Sequence, residues 1–452
     1  VFTPEILSRF DLNGPRYTSY PTADRLHGAI ARDRVLEALG GLAGGAFSLY
    51  VHIPFCRSLC YYCACNKIVT KRPDAAPRLL TLLEREIDLL GERIGGSPLP
   101  QMALGGGTPN FLTIAEQRRL IGLIDRHFVR PPDREQSSEL DPRFLTEDYL
   151  RALADLGYNR VSFGVQDFDP DVQRLIHRHQ SFAQTADACR WARGAGIHAI
   201  SFDFVYGLPL QSRATLATTL ERALSLDPDR IALFNYAHIP ERFKAQRRIP
   251  TDSLPSIELR TEMFLYASER LADAGYVAIG LDHFAKPGDS LARAAADGTL
   301  RRNFQGYSTH GGLDLVGIGP SAISDVGGVL WQNAPQMDVY AQRLEAGELS
   351  LVRGRVRSAE DRLRADVIER IMCHGKVDWA QIEARHGRDP RVVLASEIAS
   401  LAAFAAIGVV SCDDAGFRVT PQGRLLLRAV AMAFDAYRNL PREAPITYSR
   451  IA

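Results

Sequence analysis

Phe47-Ser48-Leu49-Tyr50-Val51-His52-Ile53-Pro54-Phe55, followed at once by Cys56-Arg57-Ser58-Leu59-Cys60-Tyr61-Tyr62-Cys63-Ala64-Cys65, is the stretch on which the reading of the whole chain turns. Its first half alternates apolar and polar side chains and reads as a strand. Its second half holds four of the chain's seven cysteines within ten residues. A thiolate in a folded interior costs free energy unless it is paired or bound to a cation, so this crowding needs a partner.

Outward from this stretch, strand-like runs alternate with amphipathic helices. Strands are expected at Ser48 to Ile53, Gln101 to Leu104, Ser137 to Leu140, Arg160 to Val165, Ala199 to Val205 and Arg230 to Tyr236. Arg78 to Ile94 sets Leu79, Leu82, Leu83, Ile87 and Leu90 on one helical stripe broken only by Glu86. Thr113 with Glu116 makes a capping box for a helix through Phe128, and further helices are expected near Thr146 to Leu156, Phe182 to Gly194 and Ala214 to Leu226. Six such βα units make an α/β fold. They either close, fully or nearly, into a barrel with function at the carboxyl ends of its strands, or lie open as a doubly wound sheet; periodicity does not separate the two.

Beyond Tyr236 the pattern loosens. A helix is expected at Ile257 to Ala274, a strand at Tyr276 to Leu281, Gly- and aromatic-rich segments to about Leu330, and a linker helix over Asn333 to Leu349. The chain divides into an N-terminal arm (1–45, with a helix from Ala29 to Leu42), a barrel with extensions (46–350) and a mainly helical, winged-helix-like domain (351–452). That last part should hold helices Ala359 to Met372, Trp379 to His386 and Val392 to Ile407, a small β-wing Gly408 to Val419 turning at Asp413-Asp414-Ala415-Gly416, and a helix Pro421 to Tyr437. Its arginines are balanced by nearby acids, which favours a structural or substrate-covering role over DNA binding.

A length of 452 residues with 46% hydrophobic content supplies a large core and a smaller one. A net charge of +1 makes no field for nucleic acid or an anionic membrane, and neither a membrane-spanning apolar run nor a secretion signal is present. A cytoplasmic, soluble monomer is expected. The numbering opens on Val1, and a short native start is expected before it. The odd, clustered cysteines argue against a secreted disulfide framework; Cys189, Cys373 and Cys412 are each read as small buried hydrophobes.

Three partners compete for the clustered cysteines. Structural zinc takes two separated ligand pairs, whereas here the gaps are three, two and one residues in one loop. A redox disulfide needs only two of the four thiols. Three thiolates of a C-x3-C-x2-C loop suit one face of a 4Fe-4S cube, with Cys56, Cys60 and Cys63 as ligands. The fourth iron then stays open to a small molecule bearing adjacent amino and carboxylate groups.

With an aromatic residue before its third cysteine, the loop resembles the signature of radical S-adenosylmethionine (SAM) enzymes. Arg16 to Thr22 (RYTSYPT), Tyr50 to Thr70, Gly105 to Pro109 (GGGTP), Gly164 to Phe168 (GVQDF), Asp203 to Pro209 (DFVYGLP), Phe234 to His238 (FNYAH), Asp282 to Ala285 (DHFA), Asn303 to Tyr307 (NFQGY) and Val419 to Tyr437 narrow the resemblance. Over nearly the whole chain they resemble the oxygen-independent coproporphyrinogen III oxidase family. The resemblance implies a partial (β/α)6 radical SAM barrel, a 4Fe-4S cluster and two SAM molecules. One SAM would be contacted by Tyr50, Gly106, Glu139 and Ile323, the second by Tyr62, Gly107, Thr108, Gln166, Arg178, Asp203 and Ala237. Cys65, Phe304 and Gln305 are candidates for the substrate or second site, and no acid or base is assigned. Taken singly, each of these residues is as readily a cap, a turn or packing. His52, His238 and His283 lack metal-ligand spacing and read as core or hydrogen-bonding groups.

The activity that the resemblance implies is hydrogen abstraction by a 5′-deoxyadenosyl radical from two propionates of coproporphyrinogen III, whose oxidative decarboxylation gives protoporphyrinogen IX. Its partners are a tetrapyrrole substrate, an electron donor and a terminal electron acceptor. Four substrate carboxylates lead us to expect arginines at the site mouth. Two departures stand out: Ala103-Leu104 where the family tends to show His-Trp, and Ser137-Ser138 in place of a more apolar lead into Glu139. Rival readings are a haem-binding chaperone of the same superfamily, whose members usually lack the cysteine at the Cys65 position and the RYTSYPT arm, and radical methyl transfer on the same scaffold.

Overall fold

The computed structural model describes residues 13–28 and 30–440. The first twelve residues of the arm, Ala29 at the expected helix start and residues 441–452 of the C-terminal part lie outside the described residues.

The six expected strands form as β1 (Phe47–Ile53), β2 (Gln101–Gly106), β3 (Glu135–Leu140), β4 (Arg160–Gln166), β5 (Ala199–Tyr206) and β6 (Arg230–Asn235). They pair in that sequential order, each parallel to the next. A doubly wound sheet reverses its order at a switch point, so the absence of a reversal decides for barrel-type winding. The barrel does not close. The outer edge of β6 is taken by β8 (His283–Ala285), antiparallel and followed by β7 (Val277–Ile279), and that of β1 by the parallel strand β9 (Asp314–Ile318). Beyond β9 follow β10 (Ile323–Val326), β11 (Val329–Asn333) and β12 (Leu351–Val356), giving a sheet of twelve strands.

Several expectations past Tyr236 are corrected by this extension. The Gly- and aromatic-rich region carries β9 and β10, and the linker helix shrinks to Met337–Glu345 because Asn333 ends β11. The expected strand Tyr276 to Leu281 shortens to β7, and the helix expected over Pro421 to Tyr437 splits into a 3-10 turn, Gln422–Leu426, and Leu427–Ala433. The wing gains a third strand, Lys376–Asp378, paired with Gly416–Val419. Cys189 and Cys373 are buried as expected, but Cys412 is exposed on the wing.

Helices α1 (Ala75–Ile94), α2 (Ile114–Asp125), α3 (Glu147–Asp155), α4 (Phe182–Gly194) and α5 (Arg213–Ser225) follow successive strands of the parallel run. Leu79, Leu83, Ile87 and Leu90 of α1 are buried in the same core as Leu49, Val51 and Ile53 of β1. Each such side chain contributes about 1.5–3 kcal/mol by leaving water. Glu86 does not interrupt this stripe. It is buried and accepts hydrogen bonds from the Gly319 N–H (2.8 Å), the Asn333 amide (2.6 Å) and the Tyr340 hydroxyl. A second core holds Leu363, Val367, Trp379, Leu426 and Phe434 together with Tyr17 and Tyr20 of the arm. The arm is fastened there by the Tyr17 hydroxyl on Asp435 (2.9 Å) and by Arg357 Nε on the Tyr20 carbonyl (2.7 Å).

Candidate active site

Side chains alternate across a strand, and here the alternation sorts chemistry by face. Val161, Phe163 and Val165 of β4, and Ile200, Phe202 and Phe204 of β5, enter the core, while Ser162, Gly164 and Gln166, and Ser201, Asp203 and Val205, line one cavity. Tyr50, Gly106, Glu139 and Phe234 bring β1, β2, β3 and β6 to the same space. The cavity encloses about 1950 Å³, its solvent-filled mouth included.

The cysteine loop forms one wall. Phe55–Cys56 pairs in parallel with Ile68–Val69, which pinches the intervening residues into a closed loop. The loop is pinned by the Tyr61 N–H on the Ile176 carbonyl (2.9 Å), by the His177 ring on the Leu59 carbonyl (2.7 Å) and by stacking of Tyr61 on His177. His52 Nε2 lies 3.0 Å from the Asn66 carbonyl, so it carries the proton there, and Nδ1 is left to accept from the Tyr50 hydroxyl at 3.2 Å.

Cys56, Cys60, Cys63 and Cys65 are free thiols that all line the cavity. Their electrostatics differ. The Cys65 thiol donates to Cys63 and, with Lys67, draws the Cys63 thiol down to about 6 despite burial; Cys65 itself is pushed up. Burial, reinforced by Cys63 and Cys60, lifts Cys56 to about 12. A thiol so placed is ionised only by a bound cation. Two guanidinium groups reach Cys60 Sγ, Arg178 Nη1 at 3.6 Å and Arg143 Nη2 at 3.8 Å, and both arginines pair with Asp141. Arg178 Nη2 also donates to the Gly164 carbonyl at 2.6 Å, while its buried Nε has no protein partner among the described residues. Three thiols that line one cavity, with fixed cations beside Cys60 and Cys63, are a donor set suited to an anionic iron–sulfur cluster.

The glycine run lies against this loop because it has no side chains. A Cβ on Gly107 would meet the Phe55 carbonyl oxygen at 2.6 Å, and one on Gly106, at φ +114°, the His52 ring at 2.7 Å. The Gly107 and Thr108 N–H groups donate to the Ile53 and Phe55 carbonyls, and the Thr108 hydroxyl to Asn110 Oδ1. These bonds tie the glycine run to the cysteine loop, while Gly107 and Thr108 still border the cavity. On the neighbouring strands, Asp203 accepts from the Ser162 hydroxyl at 2.9 Å, and enclosure within the cavity, with Asp203 nearby, lifts the carboxyl of the cavity-exposed Glu139 to about 7.

Residues 50–223 match the model of the radical SAM superfamily, and residues 358–426 that of the HemN C-terminal domain. The chain is 43% identical over 452 residues, 99% of its length and 98% of the relative's, to an oxygen-independent coproporphyrinogen III oxidase of Pseudomonas aeruginosa. The chain belongs to the oxygen-independent coproporphyrinogen III oxidase family. The family member of Escherichia coli is 40% identical over 432 residues, 96% of this chain and 94% of that one. The solved structure of the E. coli coproporphyrinogen III oxidase HemN, described as a radical SAM enzyme, superposes with a TM-score of 0.91 at 40% identity, covering 93% of this chain and 97% of that chain. Membership establishes the radical SAM fold with its helical C-terminal domain, and implies a 4Fe-4S cluster and SAM as cofactors.

The cavity brings together nearly every residue that the sequence nominated for this oxidase-family site: the four cysteines, Tyr50, Tyr62, Gly106, Gly107, Thr108, Glu139, Gln166, Arg178, Asp203, Phe304 and Gln305. Ala237 and Ile323 are not among its lining. Ala237 sits behind it, its carbonyl bound by the Gln246 amide that also holds the Tyr62 carbonyl. Ile323 backs Gly317, the register partner of Tyr50. Both departures from the family pattern, Ala103-Leu104 and Ser137-Ser138, border the cavity, with Leu104 turned into the core. Sequence reasoning missed Asp141, Arg143 and Lys67. Asp141 and Arg143 follow Glu139 by two and four positions at a strand end, a signal that was present; Lys67 carried none.

Proposed function

We propose that this chain converts coproporphyrinogen III to protoporphyrinogen IX by oxygen-independent oxidative decarboxylation of two propionate side chains. One observation carries the reading: a single cavity gathers the free thiols of Cys56, Cys60 and Cys63, side chains from all six parallel strands, and Phe304 and Gln305 of the hairpin Arg301–Asn303/Gly306–Ser308. When bound, the cluster and SAM supply the electron and the hydrogen-atom acceptor that this chemistry needs.

The chain's own residues hold and orient. Cys56, Cys60 and Cys63 would ligate the cluster, with Arg178 and Arg143 offsetting charge at Cys60 and Lys67 at Cys63. Tyr50, Gly106, Glu139 and Ile323 would hold one SAM, and Tyr62, Gly107, Thr108, Gln166, Arg178, Asp203 and Ala237 a second. Phe234, Phe304 and Tyr307 give the cavity aromatic walls on which pyrrole rings can lie. A fixed pose matters because a misplaced C–H bond is not attacked. Each propionate loses one hydrogen atom, one electron and carbon dioxide to become a vinyl group, so an electron donor and a terminal acceptor must come from outside the chain. No described helix is long and apolar enough to cross a membrane; we place the protein in the cytoplasm as a monomer.

Anaerobic incubation with coproporphyrinogen III, SAM and a low-potential reductant tests the reading. Vinyl product is expected, with two SAM bound per chain by equilibrium dialysis. Formation of 5′-deoxyadenosine without vinyl product overturns the oxidase reading, and haem binding without turnover replaces it with the chaperone.

A further inference from the structure

His283 lines the cavity and has no task in the scheme above. It stands on β8, edge-on to the rings of Phe234 and Tyr307, with centroids 5.7 and 5.1 Å away. Its Nδ1 lies 2.7 Å from Asp282 Oδ1, and Asp282 Oδ2 accepts from Arg16 Nη1 at 3.0 Å. Arg16 also donates to the Asn235 carbonyl at 3.2 Å and lies over the Phe234 ring. A line of contacts thus runs from the arm through a buried carboxylate to the cavity wall.

Burial alone would raise the Asp282 carboxyl, but the hydrogen bond from His283 and the charge of Arg16 hold it well below the usual carboxylate range. A carboxylate on Nδ1 fixes the proton at that nitrogen, so the neutral ring presents Nε2 as a lone pair. Among the described residues Nε2 has no protein partner, and the side chain keeps 19% of its surface open. The neighbouring Tyr307 hydroxyl does not compete for it, since it accepts from the Leu281 N–H (2.7 Å) and donates to the Met372 carbonyl (3.0 Å). One acceptor atom framed by two aromatic rings matches a flat ring that carries a donor. A pyrrole N–H has that form, whereas a carboxylate would need a donor that Nε2 does not offer.

We propose that His283, set by Asp282 and Arg16, accepts a hydrogen bond from a pyrrole N–H and so orients the tetrapyrrole; the proposal rests on the tetrapyrrole reading above. Anaerobic equilibrium dialysis of coproporphyrinogen III against the reconstituted protein and its His283→Leu, His283→Gln and His283→Lys variants tests it, with iron content and thermal midpoint recorded for each. His283→Leu is expected to weaken binding about tenfold, ~1.4 kcal/mol. His283→Gln, whose amide oxygen accepts, stays within about threefold, and His283→Lys, a donor without a lone pair, loses as much as leucine. In turnover, His283→Leu releases more 5′-deoxyadenosine per vinyl group than the wild type, because a loosely held ring presents its C–H bonds badly. Wild-type affinity in His283→Leu, or retained affinity in His283→Lys, overturns the contact. If the leucine variant does not fold, the contrast between glutamine and lysine decides. Failure of the wild type itself to bind coproporphyrinogen III overturns the functional reading instead.

Discussion

Glu86 Oε2 accepts a hydrogen bond from the backbone N–H of Gly319 at 2.8 Å, across 233 positions of sequence. The Asn333 amide and the Tyr340 hydroxyl complete a set of three donors around one carboxyl group on α1. Gly319, at φ +92°, follows β9 so closely packed against β1 that a Cβ there would meet the His52 carbonyl oxygen at 2.5 Å. Glu86 therefore ties a helix to the turn that backs the cysteine-bearing strand.

Replacing Glu86 by alanine strands three buried donors, and each donor left dry costs about 1–3 kcal/mol. A total loss of about 3 kcal/mol or more is expected, read as a lowered urea midpoint with an unchanged slope. Leucine should do no better, since it fills the space but satisfies none of the donors.

Two glycines predict opposite signs. Gly107→Ala drives a Cβ into the backbone of Pro54 and Phe55, at 2.7 and 2.6 Å, so the strand leading into Cys56 must move. A loss of about 2–3 kcal/mol and a fall in iron content are expected. Gly122, inside α2, has nothing within 4 Å of its Cβ position. Gly122→Ala should raise stability by about 0.5–1 kcal/mol with iron unchanged.

Cys60→Ser removes a proposed ligand that two guanidinium groups serve, and should abolish cluster assembly. Cys65→Ser keeps a hydroxyl that can still donate to Cys63, so iron is retained while product formation suffers. Iron analysis and the absorbance of anaerobically purified variants separate the two, and loss of the cluster from Cys65→Ser would show that three ligands are too few.

Enclosure within the cavity, helped by Asp203, pushes the Glu139 carboxyl up to about 7 against the Gly106 N–H that favours its anion, although the residue itself is exposed to the cavity. In the proposed site the positive groups of SAM would select the ionised carboxylate, so below that value binding would first have to release a proton. SAM affinity is therefore expected to fall toward tenfold per unit as pH drops below about 7, and to level off above it. Dissociation constants measured from about pH 5.5 to about 8.5 give the slope, and Glu139→Gln should flatten it.

The parallel run was legible because each β-strand and helix carries its own local period, and Val161 to Gln166 shows the pattern at its clearest. β9 and β12 were not, since Asp314-Leu315-Val316-Gly317-Ile318 and Leu351-Val352-Arg353-Gly354-Arg355-Val356 hold glycines and charges that weaken the alternation. They become strands through neighbours distant in sequence. Glu86 was misread for the same reason: its partners lie beyond residue 318. Within the site, the cysteine loop announces itself within ten residues, and resemblance supplied the strand-end groups. The Asp141 link between Arg143 and Arg178 depends on a contact between β3 and the segment after β4, which no local pattern records.

The sequential winding also sets a timetable for making the protein. β1 leaves the ribosome early with its thiols, yet its neighbour on one side, Asp314–Ile318, is synthesised only after the whole parallel run. Until then the nascent chain carries an unpaired strand edge beside four free thiols, a hazard for aggregation and oxidation alike. A fragment trimmed to residues 50–223 would keep all three proposed ligands and still lack the strand that backs them.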